Sequence, residues 1–382
     1  MATGPNDVQL SDEQLVERAA EELRSHLPDR WTVAVVNGPA QTNGEPGKQI
    51  LVNHAGTGGY SALVEARRSF TPQDARRLLG GPLGPRLRAM TGNMPIAVVA
   101  PYLSPRTREV LDAEKIGYID LAGNIRLDLQ NLYVEIERTT HNPNGTPTAA
   151  PGLRGAMTGR VVRVLVDAYP PYVLKEIAAA AGIDRGYTSR ILESLSEQAL
   201  IEREPRGKVT DVDWSALLRA RAQYLDLLGR RTMSGYISPR GPQAALDSFA
   251  QRAPDEPWAV TGSFAAVRFA PVAAPVLLVV YTMNPAGLAV DLDLLEADRG
   301  TNVVLVRPTN YGPFDRTEWD DGIRWAGLSQ VALDCLSGNG RMPAEGEALL
   351  EWMAKNEASW RTTIDQMPPP ARRPERPMPA RP

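Results

Sequence analysis

Apolar residues recur every three to four positions in some stretches of this 382-residue chain and every second position in others. "SDEQLVERAAEELRSHL" (11–27) has helical spacing, with Ser11 as N-cap and Gln14 three residues on, the spacing of a capping box. Strand-like runs follow at 31–36, 48–54 and 60–67. Thr71-Pro72 and Ser104-Pro105 each open a helix, because the fixed φ of proline suits the first helical position and the hydroxyl before it can cap. These helices are predicted over 71–80 and 104–117, the second ending at Gly117. "MPIAVVAPYL" (94–103) predicts a strand, and "YIDLAGNIRLDLQNLYVEIE" (118–137) two strands around a Gly-Asn turn. Residues 1–137 thus predict an α/β domain with a mixed sheet.

A stretch rich in Pro, Gly, Thr and Asn (138–157) predicts a linker, "GYISPRGPQ" (235–243) a second break, and the Pro/Arg-rich 367–382 a disordered tail. Between the breaks, 158–233 is helical in pattern. From 244 to 366 the α/β pattern returns: a helix at 242–253, strands near 258–262, 274–282, 288–295 ("LAVDLDLL") and 301–308, then helices from Ser329. The expected fold class is therefore multidomain α/β.

The middle segment carries the candidate chemistry. "TGRVVRVLVDAYPP" (158–171) predicts a helix burying Val161, Val164 and Leu165, and "YVLKEIAAAAGI" a second burying Leu174, Ile177, Ala178 and Ala181. Gly182 falls where a tight turn needs positive φ. A third helix, from Asp184 as N-cap to Gln198, buries Ile191, Leu192 and Leu195. Two short strands around Pro205-Arg206-Gly207-Lys208 follow. This order, helix, helix, turn, helix, hairpin, is that of a winged helix-turn-helix. It explains why the third helix opens on Arg185, Tyr187, Thr188, Ser189 and Arg190: in a recognition helix that turn faces the major groove, where Arg reaches guanine acceptors and hydroxyls reach edges or phosphates. Arg206 and Lys208 at the wing tip would meet phosphate. The structural alternative is a protein-binding winged helix on which these residues are only solvated.

The segment resembles bacterial winged-helix regulators of the MarR and IclR type. The run from Gly300 to Met353, with Gln330 and Asp334 in a Q-x-x-x-D spacing before Gly340-Arg341, resembles the C-terminal domain of AbiEi-like type IV antitoxins. That resemblance spans about 155–353 and implies a DNA-binding winged helix fused to a larger α/β domain; residues 1–137 are extra to it. In those residues the order of elements around Glu65-Ala66-Arg67 resembles the PD-(D/E)xK nuclease fold, in which a metal is held by an Asp on one strand and a Glu two residues before a Lys on the next. Here Arg67 replaces the Lys, and "KQILVNH" offers Lys48, Gln49 and Asn53 but no Asp. Gly262-Ser263 before a helix resembles the opening of a nucleotidyltransferase fold, yet "PVLLVVYT" carries no carboxylate for metals, and Asp291 and Asp293 lie far beyond the usual spacing. Both domains are therefore expected to lack catalysis.

Composition narrows the picture. A net charge of -3 argues against a generally basic surface, so contact with nucleic acid must be local. With Cys335 the only cysteine there is no internal disulfide, and His26, His54 and His141 lack ligand spacing, so neither a metal nor a cofactor is expected. Cys335 and the tryptophans, Trp319, Trp325, Trp352 and Trp360 among them, are expected in packing roles. "GTGGY" (56–60) predicts a hairpin turn and not a phosphate loop. No basic leader and no apolar run of about 18 residues occur, so a cytoplasmic chain without a membrane span is expected. The expected partners are double-stranded DNA, a toxin protein and a second copy of the chain. The alternatives are a nuclease or nucleotidyltransferase targeted by the winged helix, and an interaction scaffold.

Overall fold

A computed structural model describes residues 10–40, 46–55, 58–80, 94–129, 132–138, 153–204, 207–229, 233–251 and 257–372. They belong to a mixed α/β chain that divides into two compact units near residues 148/149.

The first unit is built on a seven-stranded sheet. Helix α1 (Asp12–Ser25) starts at the Ser11–Gln14 capping box, closed by reciprocal hydrogen bonds of 2.8 and 3.2 Å. Strands β1 (Trp31–Ala40), β2 (Pro46–His54) and β3 (Gly58–Ala66) run antiparallel. Helix α2 (Pro72–Gly80), β4 (Ile96–Ala100), α3 (Pro105–Ala113), β5 (Gly117–Asp120), β6 (Ile125–Leu129) and β7 (Leu132–Ile136) complete it in sequential order, β3–β4 and β4–β5 being parallel. Alternation along β4 shows how the faces divide. Ala97 and Val99 pack with Leu15, Ala19 and Leu23 of α1, whereas Val98 and Ala100 pack with Ala75 of α2 and Val110 and Leu111 of α3. Two expectations change. Helix α3 stops at Ala113, Lys115 takes positive φ, and Gly117 opens β5. The run 118–137 makes strands of a three-stranded stretch, because Asp120 folds a turn by accepting from the backbone of Ala122 and Asn124.

The second unit begins with α4 (Ala156–Asp167), α5 (Leu174–Ala181), α6 (Arg185–Glu197), the antiparallel pair β8 (Ile201–Arg203) and β9 (Val209–Val212), and α7 (Trp214–Ala222). Tyr172 adds a short rung to β9, exchanging backbone hydrogen bonds with Val209. Then come β10 (Met233–Ile237), α8 (Pro242–Gln251), β11 (Trp258–Thr261), α9 (Ser263–Ala266), β12 (Leu278–Thr282), α10 (Pro285–Asp291), β13 (Leu295–Glu296), β14 (Val303–Val306), β15 (Glu318–Asp320), β16 (Ile323–Trp325), α11 (Leu328–Leu336), α12 (Met342–Lys355) and α13 (Glu357–Trp360). The strands form a second seven-stranded mixed sheet, ordered β13-β10-β14-β12-β11-β16-β15.

Four expectations for this part are corrected. The break at 235–243 holds most of β10, which pairs with both β13 and β14. The first half of "LAVDLDLL" is the end of helix α10, and only Leu295 of it enters a strand: Asn284 caps the helix by accepting from Gly287 N–H at 3.1 Å, and Pro285 fills its first turn. Trp319 is 59% exposed on β15, its ring edge-on to Trp258. The start of the Pro/Arg tail is placed: Met367 and Ala371 pack on the core, and the Ala371 N–H donates to Asp315 at 2.7 Å. Residues 373–382, like His141 and most of the expected linker, lie outside the described residues. One apolar cluster runs through this whole unit, from Val161 and Leu165 of α4 through Leu217 of α7 to Val279 of β12 and Leu333 of α11.

Candidate nucleic-acid interface

Helices α5 and α6 meet at a turn whose geometry follows from two residues. Gly182 adopts the left-handed conformation (φ 65°), and the N–H of Ile183 closes back on the Ala178 carbonyl at 2.9 Å. Asp184 then caps α6, its carboxylate accepting from Tyr187 N–H at 3.0 Å. Glu176 reaches back in the same way to the N–H of Val173 at the start of α5.

The cap sets the rotation of α6. In its first two turns Ser189 is half-buried and Arg185 and Arg190 are exposed. Tyr187 is half-buried, with the Arg190 guanidinium 5.6 Å from its ring centroid. Thr188 is turned inward: it is 0% exposed, and its hydroxyl donates to the Asp184 carbonyl at 2.9 Å. The signal was present in the sequence, since Thr188 stands three, four and seven residues before Ile191, Leu192 and Leu195, the spacing of the buried face. On the hairpin Lys208 is exposed, its carbonyl accepting from Glu204 N–H at 3.0 Å. Arg206 lies outside the described residues. None of Arg185, Arg190 and Lys208 is held in an ion pair with a described carboxylate. Two basic residues not singled out by sequence stand on the same segment. Lys175 is exposed in the first turn of α5, and Arg154 precedes α4 beside Gly155, where an added Cβ would lie 4.0 Å from the Tyr187 hydroxyl. The linker-like composition around Arg154 hid it.

The two catalysis-like motifs are engaged internally. The Arg67 guanidinium donates to Glu65 at 2.6 and 2.7 Å. Ser263 donates to the buried Glu345 carboxylate, and every residue of β12 beside it is buried. Asp291 and Asp293 sit exposed at the end of α10 and in the turn after it. Gln330 and Asp334 do come together, one turn apart on α11: Asp334 accepts from Gln330 (2.8 Å), Tyr281 (2.8 Å) and Thr261 (2.6 Å). Burial pushes the Asp334 carboxyl up to about 6 although these three donors pull the other way. Cys335 next to it is fully buried, and desolvation drives its thiol far above the usual range. No helix among the described residues is long and apolar enough to cross a membrane. No family model, curated protein or solved structure matches this chain.

Proposed function

We propose that the chain is a sequence-specific DNA-binding regulator of the autoregulating type IV antitoxin kind. Residues 158–233 act as its winged helix-turn-helix, with a nuclease-like domain before and a nucleotidyltransferase-like domain after. The observation that carries the reading is the opening of α6: two exposed guanidiniums, unpaired by described carboxylates, in the first two turns of a helix that follows a left-handed glycine turn and precedes a hairpin bearing Lys208. In the major groove Arg185 and Arg190 would read guanine edges, with Ser189 and Tyr187 beside them, while Lys208, Arg206 and Lys175 would hold phosphates. Double-stranded DNA, met as a homodimer, and a toxin protein are its proposed partners. The role is one of binding and not of catalysis: Glu65 is tied to Arg67, and β12 carries Tyr281 where a transferase would carry carboxylates. The test is a fluorescence-anisotropy titration of the full chain with the duplex upstream of its own gene and with a scrambled duplex. Tighter binding to the upstream duplex supports the reading, and equal binding defeats it. A second reading, a protein-binding winged helix, is favoured by the exposed acids Glu202, Glu204 and Asp211 on the hairpin, and it would take over on that outcome.

A further inference from the structure

A cavity of about 310 Å³ opens in the second unit between the start of α4, the end of α7 and the loop after β14, with α11 as its floor. Its size is at the lower end of the range for small-molecule sites, about 300–1,000 Å³. Arg221 projects from α7 into its wall and is 4% exposed. Its two terminal nitrogens donate to the carbonyls of Leu153 and Gly155, but its Nε has no acceptor and no described carboxylate pairs with it. Burying a guanidinium without a counter-charge is unfavourable unless something else supplies the anion. Across the wall α4, twelve residues long, begins at Ala156 after Gly155, which supplies no side-chain cap, and both residues line the cavity at the helix's positive end. At the solvent edge Arg307 is exposed and has no ion pair with a described residue. Two carboxylates line the cavity. Asp226 is exposed at the mouth, and the charge of Asp334 in the floor is already taken up by three donors.

We infer that this cavity is a binding site for a small oxyanion-bearing metabolite, its phosphate or carboxylate held between Arg221 and the start of α4, and its remainder reaching towards Arg307. Burial has already drawn the Arg221 guanidinium down to about 10, the direction expected of a cation lacking its partner. A bound oxyanion would accept from the Arg221 guanidinium and from the first N–H groups of α4, hydrogen bonds that gain strength from both charges. The site is independent of whether α6 reads DNA.

Isothermal titration calorimetry of the full chain tests it, with inorganic phosphate and citrate as separate probes. Saturable binding of at least one probe below about 10 mM is expected. The probe that binds tells a phosphate site from a carboxylate site. Arg221→Gln should weaken that binding by about tenfold or more. Because Arg221 also holds two carbonyls, its variant must first show the wild-type circular dichroism spectrum. Arg307→Gln, a change at an exposed residue, keeps the test alive if it does not, and should weaken binding several-fold. Absence of saturable binding by both probes, or binding that every folded variant retains at wild-type strength, overturns the inference.

Discussion

Thr188 and Ser189 are chain neighbours with similar side chains, and the rotation of α6 sends one into the core and leaves the other half outside. On the proposed function, recognition would therefore fall on Arg185 and Arg190. Each Arg→Ala change should narrow the gap between cognate and scrambled duplex, by about 1–3 kcal/mol where the arginine bridges a guanine through two hydrogen bonds. Lys208→Ala with Arg206→Ala should instead weaken both duplexes together and reduce the salt slope by roughly one for each phosphate no longer neutralised. Anisotropy titrations across a salt series separate the two. A different single-residue effect is expected at Asp334. With its carboxyl pushed up to about 6 in the fold, the native state binds a proton there that the unfolded chain has already released. The contribution of this group to stability is accordingly highest below about pH 4, falls as pH rises towards 6 and is level above that, a drop of at most about 3 kcal/mol. Urea unfolding of wild type and Asp334→Asn from pH 4 to 7 should show the difference between them changing across that window and flat beyond it.

Among the elements, the α5–α6 turn is constrained on two counts. Gly182 has φ of 65°, and a Cβ placed on it would come within 2.8 Å of Pro370 Cγ, so both the backbone and the C-terminal segment require glycine there. Gly182→Ala should lower stability by about 1–2 kcal/mol from the left-handed conformation alone, more if Pro370 cannot move. Thermal unfolding of the full chain reads this, and an unchanged Tm would mean that the turn does not hold the conformation described. The glycine was legible from sequence because a small-residue run ends there. The packing of Pro370 against it was not, since nothing local joins positions 182 and 370.

Across the second unit, α4 shows what lies beyond a period count. Its apolar stripe predicts one buried face, yet Val161, Val162, Val164, Leu165 and Val166 are all buried, as is Arg163. A helix buried all round needs cover on every side, and here α11 packs on α4 and α7 while the Arg163 guanidinium donates to the Gly312 carbonyl (2.6 Å) and pairs with Asp315 (3.2 Å). The helical segment thus shares a single core with the α/β part. Residues 153–229 expressed alone should keep helical far-ultraviolet dichroism but lack fixed aromatic signals and bind a hydrophobic dye. A sharp cooperative melt of that fragment would show that it is a domain in its own right.

Local chemistry determined a good deal. The Ser11–Gln14 box, the Ser104-Pro105 start, the Gly182 turn and the Asp184 cap all depend on residues within a few positions of one another, so one sequence suffices to read them. Tertiary structure alone decided the rest. It joined β10 to β14 and β13, gathered Thr261, Tyr281 and Gln330 around the Asp334 carboxylate, and left Arg221 buried against a cavity without a carboxylate of its own. Those outcomes depend on contacts between residues tens to more than a hundred positions apart, where burial and the pairing of buried charge are settled by the whole core and not by any local pattern.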